Sequence, residues 1–400
     1  MDYKNIEDWI LSRLPSYQAI GKKAYNPGLN NVIKFISATE LSLDRLNFIH
    51  VGGTNGKGST SAYISSILQE SKYKVGIFTS PHFYDFRERI KINNKKINKS
   101  FVVDFINKNK NHIEKLELSF FELSFCISLA YFIKSKVDYS IIEVGLGGRL
   151  DATNIIDPLI SVITNISYDH TDILGDTLEK IAHEKAGIFK KNSKIIIGER
   201  NKIVDEIFVE KAKEVSSSIT FVPDINDQKC YSSVNYLNTN IKTAIQTCKS
   251  LNLKSVNNNT ILAGIYNIND NSQLIGRWTT ISNDPKIIFD AAHNLSGFES
   301  ISSQLKKTKY NQLHIILAFI KGKNINDLIS KLPSNSNIYF TSINMERGMD
   351  FNEIIQNVGR SIIFDKNPKR LLDTVKLQCQ DQDLILITGS NFIAKSIYEK

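Results

Sequence analysis

Cysteine is scarce in this chain. Four occur in 400 residues, Cys126, Cys230, Cys248 and Cys379, and none forms a C-x-x-C pair. That excludes a disulfide scaffold and a paired-cysteine metal motif, and reads as small buried hydrophobes in a reducing cytoplasm. Long apolar runs are missing too. The longest lies near 125–133, too short to span a bilayer, so no membrane is expected as a partner. The start, MDYKNIEDWI, carries acids and lacks the basic and apolar regions of a secretory leader. There is no internal repeat and no low-complexity tract. The formal charge of +9 suits anionic ligands. Yet the basic residues lack aromatic interleaving and any recognition motif, so nucleic acid is not expected. Lys, Asn and Ile are abundant throughout, as AT-rich codon usage produces. The longest basic cluster, KINNKKINK at 91–99, reads as a solvated hairpin.

What is present begins with ordinary globular composition, 42% hydrophobic, and a length that suggests two domains. Short apolar runs at 46–51, 73–78, 138–144, 160–164 and 194–198 alternate with helical patterns near 59–71, 100–112, 120–136 and 176–190. This alternation predicts a buried, mostly parallel sheet. A second series of strands begins at 286 (KIIFD) and continues at 313–319, 337–341, 361–364 and 383–388. The fold class is therefore α/β. It comprises an N-terminal phosphate-loop ATPase domain, residues 1–278, and a smaller Rossmann-like domain, residues 279–400, joined by a hinge at 276–285. Residues 200–275 are poorly patterned.

The most informative stretch is HVGGTNGKGST at 50–60. A hydrophobic strand runs into a glycine-rich turn and then a helix. Gly53, Gly56 and Gly58 remove side chains where the backbone must wrap closely. Their N–H groups, with those of Gly52 and the N-terminus of the following helix, form a cradle for phosphate, and Thr54 and Asn55 join the nucleotide-binding candidates. Lys57 can reach the outer phosphates, and Ser59 or Thr60 can ligate magnesium. The fit to G-x-x-x-x-G-K-[ST] is imperfect: Val51 stands where the first glycine belongs, and Gly58 where the hydroxyl residue belongs.

Four further segments lie at strand ends, where open α/β sheets place their ligands. In TSPH at 79–82, Ser80 can offer a hydroxyl to a metal. In EVGLGGRLDATN at 143–154, Glu143 ends an apolar strand, where an acid requires a partner or a cation; it is a candidate magnesium ligand. Gly145, Gly147 and Gly148 turn the backbone beside it, and Arg149 and Asp151 can meet a substrate. In TNISYDH at 164–170, His170 is a further ligand candidate. In GDTLEKIAHEKAGIF at 175–189, Asp176 with Glu179 makes a helix start, and Lys185 falls on the apolar stripe of that helix. If burial lowers its pKa, the neutral amine can add carbon dioxide to give a carbamate. Beyond 279, FDAAHN at 289–294 sets Asp290, His293 and Asn294 at a strand end, and Arg277 precedes it.

In order, these segments with TSPHFYDFRERI, SFFELSF and GRW resemble the Mur ligase superfamily, and within it the folylpolyglutamate synthase/dihydrofolate synthase family. The likeness covers most of 46–300. EVGLGGRLDATN is highly specific for the folate branch; cell-wall Mur ligases share the phosphate loop but are not expected to carry this run. The resemblance implies that Lys57 and Ser59 handle ATP and its magnesium. It implies that Ser80, Glu143 and His170 hold magnesium, in two sites, and that Lys185 is carbamylated; potassium is a further implied ion. Asn240, Arg277 and Asp290 match nucleotide-binding positions, joined by His293. Ser119, Phe120, Phe121 and Glu122, with Leu150, Asp151 and Ala152, match pterin-substrate contacts. The family usually has a charged residue after Gly28-Leu29, where this chain has Asn30-Asn31. DAAHN carries Ala291 where glycine is common.

The implied reaction is ATP-dependent amide formation by a cytoplasmic monomer. The carboxylate of dihydropteroate or of a reduced folate attacks the γ-phosphate, and L-glutamate attacks the resulting acyl phosphate. Positioning supplies most of the acceleration, and domain closure excludes water. Two rivals are a ligase acting on a cell-wall precursor and a non-catalytic nucleotide switch. Against the latter, no guanine-reading N-K-x-D follows Asp172-x-x-Gly175.

Overall fold

The computed structural model describes residues 2–14, 21, 27–223, 230–358 and 362–398. Runs of β-branched and aromatic residues such as FIHVG and YSIIE are buried at every position. That is the signature of strands covered on both faces, and an α/β fold follows. The chain divides into two compact units, Met1–Ser233 with Leu237–Leu274, and Val234–Tyr236 with Ile275–Lys400.

The first unit carries eight strands in the order β4-β3-β2-β5-β1-β6-β7-β8. They are β1 (Phe48–Gly52), β2 (Val75–Phe78), β3 (Ile90–Ile92), β4 (Lys95–Lys96), β5 (Tyr139–Glu143), β6 (Pro158–Ile163), β7 (Lys194–Ile197) and β8 (Ser218–Phe221). Pairing is parallel from β2 to β8, and β3 and β4 add an antiparallel hairpin from the basic cluster. In β1, Val51 pairs with Glu143 and Gly52 with Ile163. The three central strands thus end level, and their loops emerge side by side.

The described part of the poorly patterned region 200–275 is largely regular secondary structure. It holds the helices Asp205–Glu214, Asn235–Ser250 and Asn258–Tyr266 and strand β8. Helix Asn258–Tyr266 packs on helix Lys57–Glu70 so closely that a Cβ at Gly264 would lie 2.6 Å from Ile67 Cα. The Ser66 hydroxyl donates to Gly264 O across that contact at 2.6 Å.

The second unit has six strands in the order β13-β12-β11-β14-β10-β9. They are β9 (Thr279–Asn283), β10 (Lys286–Phe289), β11 (Leu313–Leu317), β12 (Asn337–Thr341), β13 (Ile363–Asp365) and β14 (Leu384–Thr388). All pairs are parallel except β9 with β10. Residues 279–283 of the expected hinge therefore form an edge strand. Residue 361 of the expected strand 361–364 lies outside the described residues. Two expectations need correction. Cys126 and Cys248 are buried, but Cys230 is exposed and Cys379 partly so. The helix expected from Asp176 runs Leu178–Ala186 and is capped by Thr177, which accepts from Lys180 N; Asp176 instead pairs with the Lys180 ammonium on the surface. Among the described residues no helix is long and apolar enough to cross a membrane.

Candidate active site

The loop after β1 is locked in place by the loop after β6. Thr54 N donates to Asn165 O at 3.0 Å, and Asn55 N to Asn165 Oδ1 at 2.9 Å. Thr54 Oγ1 donates to Ser167 O at 3.1 Å, and Thr164 Oγ1 to Asn55 O at 2.6 Å. Two glycines are obligatory for this fit. Gly53 has φ +137° and a Cβ there would lie 1.9 Å from Thr164 Oγ1. Gly56 has φ +81° and a Cβ would lie 2.2 Å from Asn240 Oδ1, so Asn240 is packed against the loop. Gly56 is also the N-cap of helix Lys57–Glu70 and offers no side-chain cap. The first-turn amides and the positive end of the helix dipole are left for an anion. In the same turn the hydroxyls of Ser59, Thr60 and Ser61 are buried with no hydrogen-bond partner. Buried polar groups are nearly always paired, so these hydroxyls are available to a ligand, although successive helix residues point about 100° apart and no single ligand meets all three.

Two cations converge on one carbonyl. Lys57 Nζ donates to Gly53 O and Thr54 O, both at 3.1 Å. Lys185 Nζ donates to the same Gly53 O at 2.9 Å. Lys185 is only 4% exposed and does not snorkel. Burial first, and then the Lys57 charge, lower its pKa to about 7, against the pull of Asp169 and Asp151. A large neutral-amine fraction is therefore present near neutrality.

Glu143 lies beside this loop. It is 4% exposed, and Oε2 accepts from Ser80 N at 3.0 Å. A Cβ at Gly58 would stand 3.6 Å from Glu143 Oε2, which sets the carboxylate against the first turn carrying Ser59. Sequence reasoning missed Arg89. It is buried, its pKa is lowered to about 10 by burial while Glu143 and Glu88 hold it up, and Nε donates to His82 Nδ1 at 2.8 Å. Its guanidinium sits over the Phe120 ring at 4.8 Å. His170, in the left-handed region at φ 49°, is half-buried; its backbone N donates to Asp169 Oδ1 at 2.9 Å.

The loop after β5 is braced internally. Asp151 accepts from Leu146 N at 2.8 Å with one oxygen, and from Thr153 N and Oγ1 with the other. Thr153 Oγ1 also meets His50 Nε2 at 2.8 Å. Burial drives the His50 pKa down to about 3, so it is neutral. Arg149 bonds Glu184 at 2.7 Å. Ser119 and Glu122 form a reciprocal capping box on helix Phe120–Ser135. Phe121 comes within 2.5 Å of a Cβ placed on Gly145. Phe120, Phe121, Glu122, Asp151 and Ala152 are thus gathered at one end of the sheet, and Gly28 N reaches Leu150 O at 3.3 Å.

In the second unit, Asp290 follows β10 and is buried, with its pKa raised by that burial against the pull of Arg277. It accepts from Trp278 N at 2.9 Å, from Ala292 N at 3.0 Å and from Tyr236 Oη, a partner that sequence reasoning missed. Arg277 Nη1 donates to Gly276 O at 2.8 Å, and His293 Nδ1 lies 3.0 Å from Ala291 O. Asn294 caps helix Leu295–Leu305.

Comparison with known proteins agrees with this geometry. The Mur ligase middle domain matches residues 51–272, and the Mur ligase glutamate ligase domain matches residues 276–391. The chain is 28% identical to the dihydrofolate synthase/folylpolyglutamate synthase of Bacillus subtilis, covering 100% of this chain and 99% of that protein. It is 33% identical to the one of Buchnera aphidicola subsp. Schizaphis graminum, covering 86% of each. The structure of E. coli FolC in complex with DHPP and ADP superposes with a TM-score of 0.84 at 26% identity, covering 99% of this chain and 96% of that one. The chain belongs to the Mur ligase family, and within it to the dihydrofolate synthase/folylpolyglutamate synthases.

Proposed function

We propose that this enzyme is an ATP-dependent ligase that joins L-glutamate to dihydropteroate and to folylglutamates through an acyl phosphate. One observation carries the reading: a phosphate loop with three orphaned buried hydroxyls, locked to the 164–167 loop and flanked by Glu143 and Lys185. Its relatives carry both synthase activities in their names.

The carboxyl oxygen of the pterin substrate attacks the γ-phosphorus, ADP leaves, and an acyl phosphate results. The glutamate amine then adds to the acyl carbon, loses its proton, and phosphate departs. The helix-start amides after Gly56 and the Lys57 ammonium offset the charge gathering on the transferred group. Gly53, Thr54, Asn55, Gly58 and Thr60 shape that cradle, and Asn240 closes its side. Arg277, Asp290 and His293 serve nucleotide on the second unit. Ser119–Glu122 and Leu150–Ala152 contact the pterin. The donors at Ser59, Ser80, Glu143 and His170 are oxygens and one imidazole, of which the Ser59 hydroxyl is buried and unpaired. Such a set fits magnesium, which when bound neutralises phosphate charge. A carbamate on Lys185 would exchange a repelled cation for an anion and hold a second magnesium; potassium is a further ion of this reading. The enzyme is read as a monomer.

The test is coupled ADP release with glutamate, comparing dihydropteroate with tetrahydrofolate. Turnover with both is expected. Turnover with UDP-sugar peptides only, or nucleotide hydrolysis indifferent to every acceptor, overturns the reading.

A further inference from the structure

A second polar cluster lies in the C-terminal unit, at the end of the parallel strands opposite Asp290. His314 is the second residue of β11, Asp383 precedes β14, and Cys379 caps the helix Pro368–Gln378. One ligand atom from each falls within 4.8 Å of the others, the one such group among the described residues. His314 and Asp383 are 4% and 5% exposed, while Cys379 is partly open to solvent.

The hydrogen-bond directions fix what His314 presents. The Tyr339 hydroxyl donates its single proton to Gln378 Oε1 at 3.0 Å. Toward His314 Nδ1, 3.1 Å away, it can therefore only accept, so Nδ1 carries the proton. With the proton on Nδ1, Nε2 is the ring atom left to meet a proton or a cation. That atom is buried without a hydrogen bond, 3.7 Å from Asp383 Oδ2. Each oxygen of Asp383 accepts a backbone hydrogen, from Gln312 N at 3.0 Å and from Gln380 N at 2.8 Å. A lone pair facing a carboxylate is repulsive unless a proton or a metal cation stands between them.

We propose that His314 Nε2, Asp383 Oδ2 and Cys379 Sγ form a binding site for a zinc-class divalent cation. One nitrogen, one oxygen and one sulfur donor suit a borderline-soft ion and not magnesium. Tetrahedral zinc bonds place such donors about 3.4–3.7 Å apart, so the histidine and the acid already stand at the right separation and the thiol needs a short shift. The thiol now donates to Val375 O at 3.3 Å. On binding it forms the sulfur–metal bond and releases one proton to solvent. A water entering from the exposed side takes the fourth position. Tyr339, holding Nδ1–H, positions the ring as an outer partner. The ion would clip β11, the start of β14 and the end of the 368–378 helix together.

The experiment uses the full chain, stripped with chelator, in excess magnesium so that oxygen-rich sites are filled. Cobalt is then titrated in as a zinc surrogate, with zinc competition for affinity. A thiolate-to-cobalt charge-transfer band at one equivalent is expected. Cys379→Ser and His314→Gln should abolish it, and Cys230→Ser should leave it intact. Tyr339→Phe should keep the band but weaken zinc binding about 10–100-fold. A chain that develops no band holds a protonated imidazole against Asp383 instead, and overturns the proposal. A band that survives Cys379→Ser does the same. Because glutamate-dependent ADP release is measured separately, failure here leaves the ligase reading standing.

Discussion

Two glycine-rich turns leave adjacent strands of one sheet and do opposite things. The turn after β1 leaves Ser59, Thr60 and Ser61 unpaired and its helix start without a side-chain cap. The turn after β5 is braced: Asp151 accepts from Leu146 and Thr153 within the turn, and Arg149 pairs with Glu184 of the helix Leu178–Ala186, although Asn154 Oδ1 stays buried without a hydrogen bond. Glycine content does not separate them. What separates them is what is left over: an uncapped helix start and its hydroxyls after β1, against a carboxylate taken up by the turn's own donors after β5, so the first can receive an anion and the second shapes the neighbouring pocket.

The sharpest way to break this contrast is Lys57→Ala. The ammonium meets only two carbonyls, and Gly53 O keeps Lys185 as a donor. Stability should hardly move, while glutamate-dependent ADP release should fall on the order of 10²–10³-fold or more. Near-normal turnover would remove the receptor role from this loop. Asp151→Ala should cost stability as well as binding of the pterin substrate. It strands Leu146 N, Thr153 N and the Thr153 hydroxyl in a buried site, so denaturant unfolding should show a loss of about 3 kcal/mol. A loss under about 1 kcal/mol would mean that Asp151 does not brace the turn.

Lys185 joins the two turns in one further measurement. Its native pKa of about 7 lies below the value of a free lysine, 10.5. Between those limits the unfolded chain binds a proton that the native chain does not. Stability relative to Lys185→Met should therefore rise with pH above about 7, at roughly 1.4 kcal/mol per unit at most. Below that window the burial penalty is present in full. Paired denaturation curves between pH 7 and 8.5 in carbon-dioxide-free buffer check the slope, and a flat difference would show that Lys185 stays charged.

Much of this was legible beforehand. Strands β1, β2, β5, β6 and β10 are short, largely apolar runs, and strand-end logic pointed to Ser80, Glu143 and Asp290, which lie at or just past the ends of β2, β5 and β10. Helix Asn235–Ser250 was not legible because it buries Asn238, Asn240, Thr243 and Thr247 along with its apolar residues, which erases the apolar stripe. Arg89 was invisible for a related reason. A charged residue in FRERI reads as surface, and only the fold shows it enclosed by His82, Phe120 and the field of Glu143. The Thr177 cap displaced Asp176 because its side chain reaches Lys180 N, whereas the Asp176 carboxylate is drawn to the lysine head group in solvent.

The smallest expected effect is also the most discriminating for the second turn. Arg149 follows three glycines and looks from sequence like a substrate-binding cation, yet its side chain is 56% exposed and bonded to Glu184. An exposed ion pair of this kind contributes about 0.2–1 kcal/mol. The loop does not depend on it, because Arg149 N also donates to Glu184 O at 2.8 Å and Asn154 Nδ2 to Arg149 O at 3.0 Å, contacts that survive truncation. Arg149→Ala should therefore lower stability by less than about 1 kcal/mol and leave the KM for dihydropteroate and for glutamate within about twofold of the parent enzyme. A tenfold rise in either KM with kcat unchanged would remove about 1.4 kcal/mol of ground-state binding, and would reassign Arg149 from the brace of the turn to the substrate.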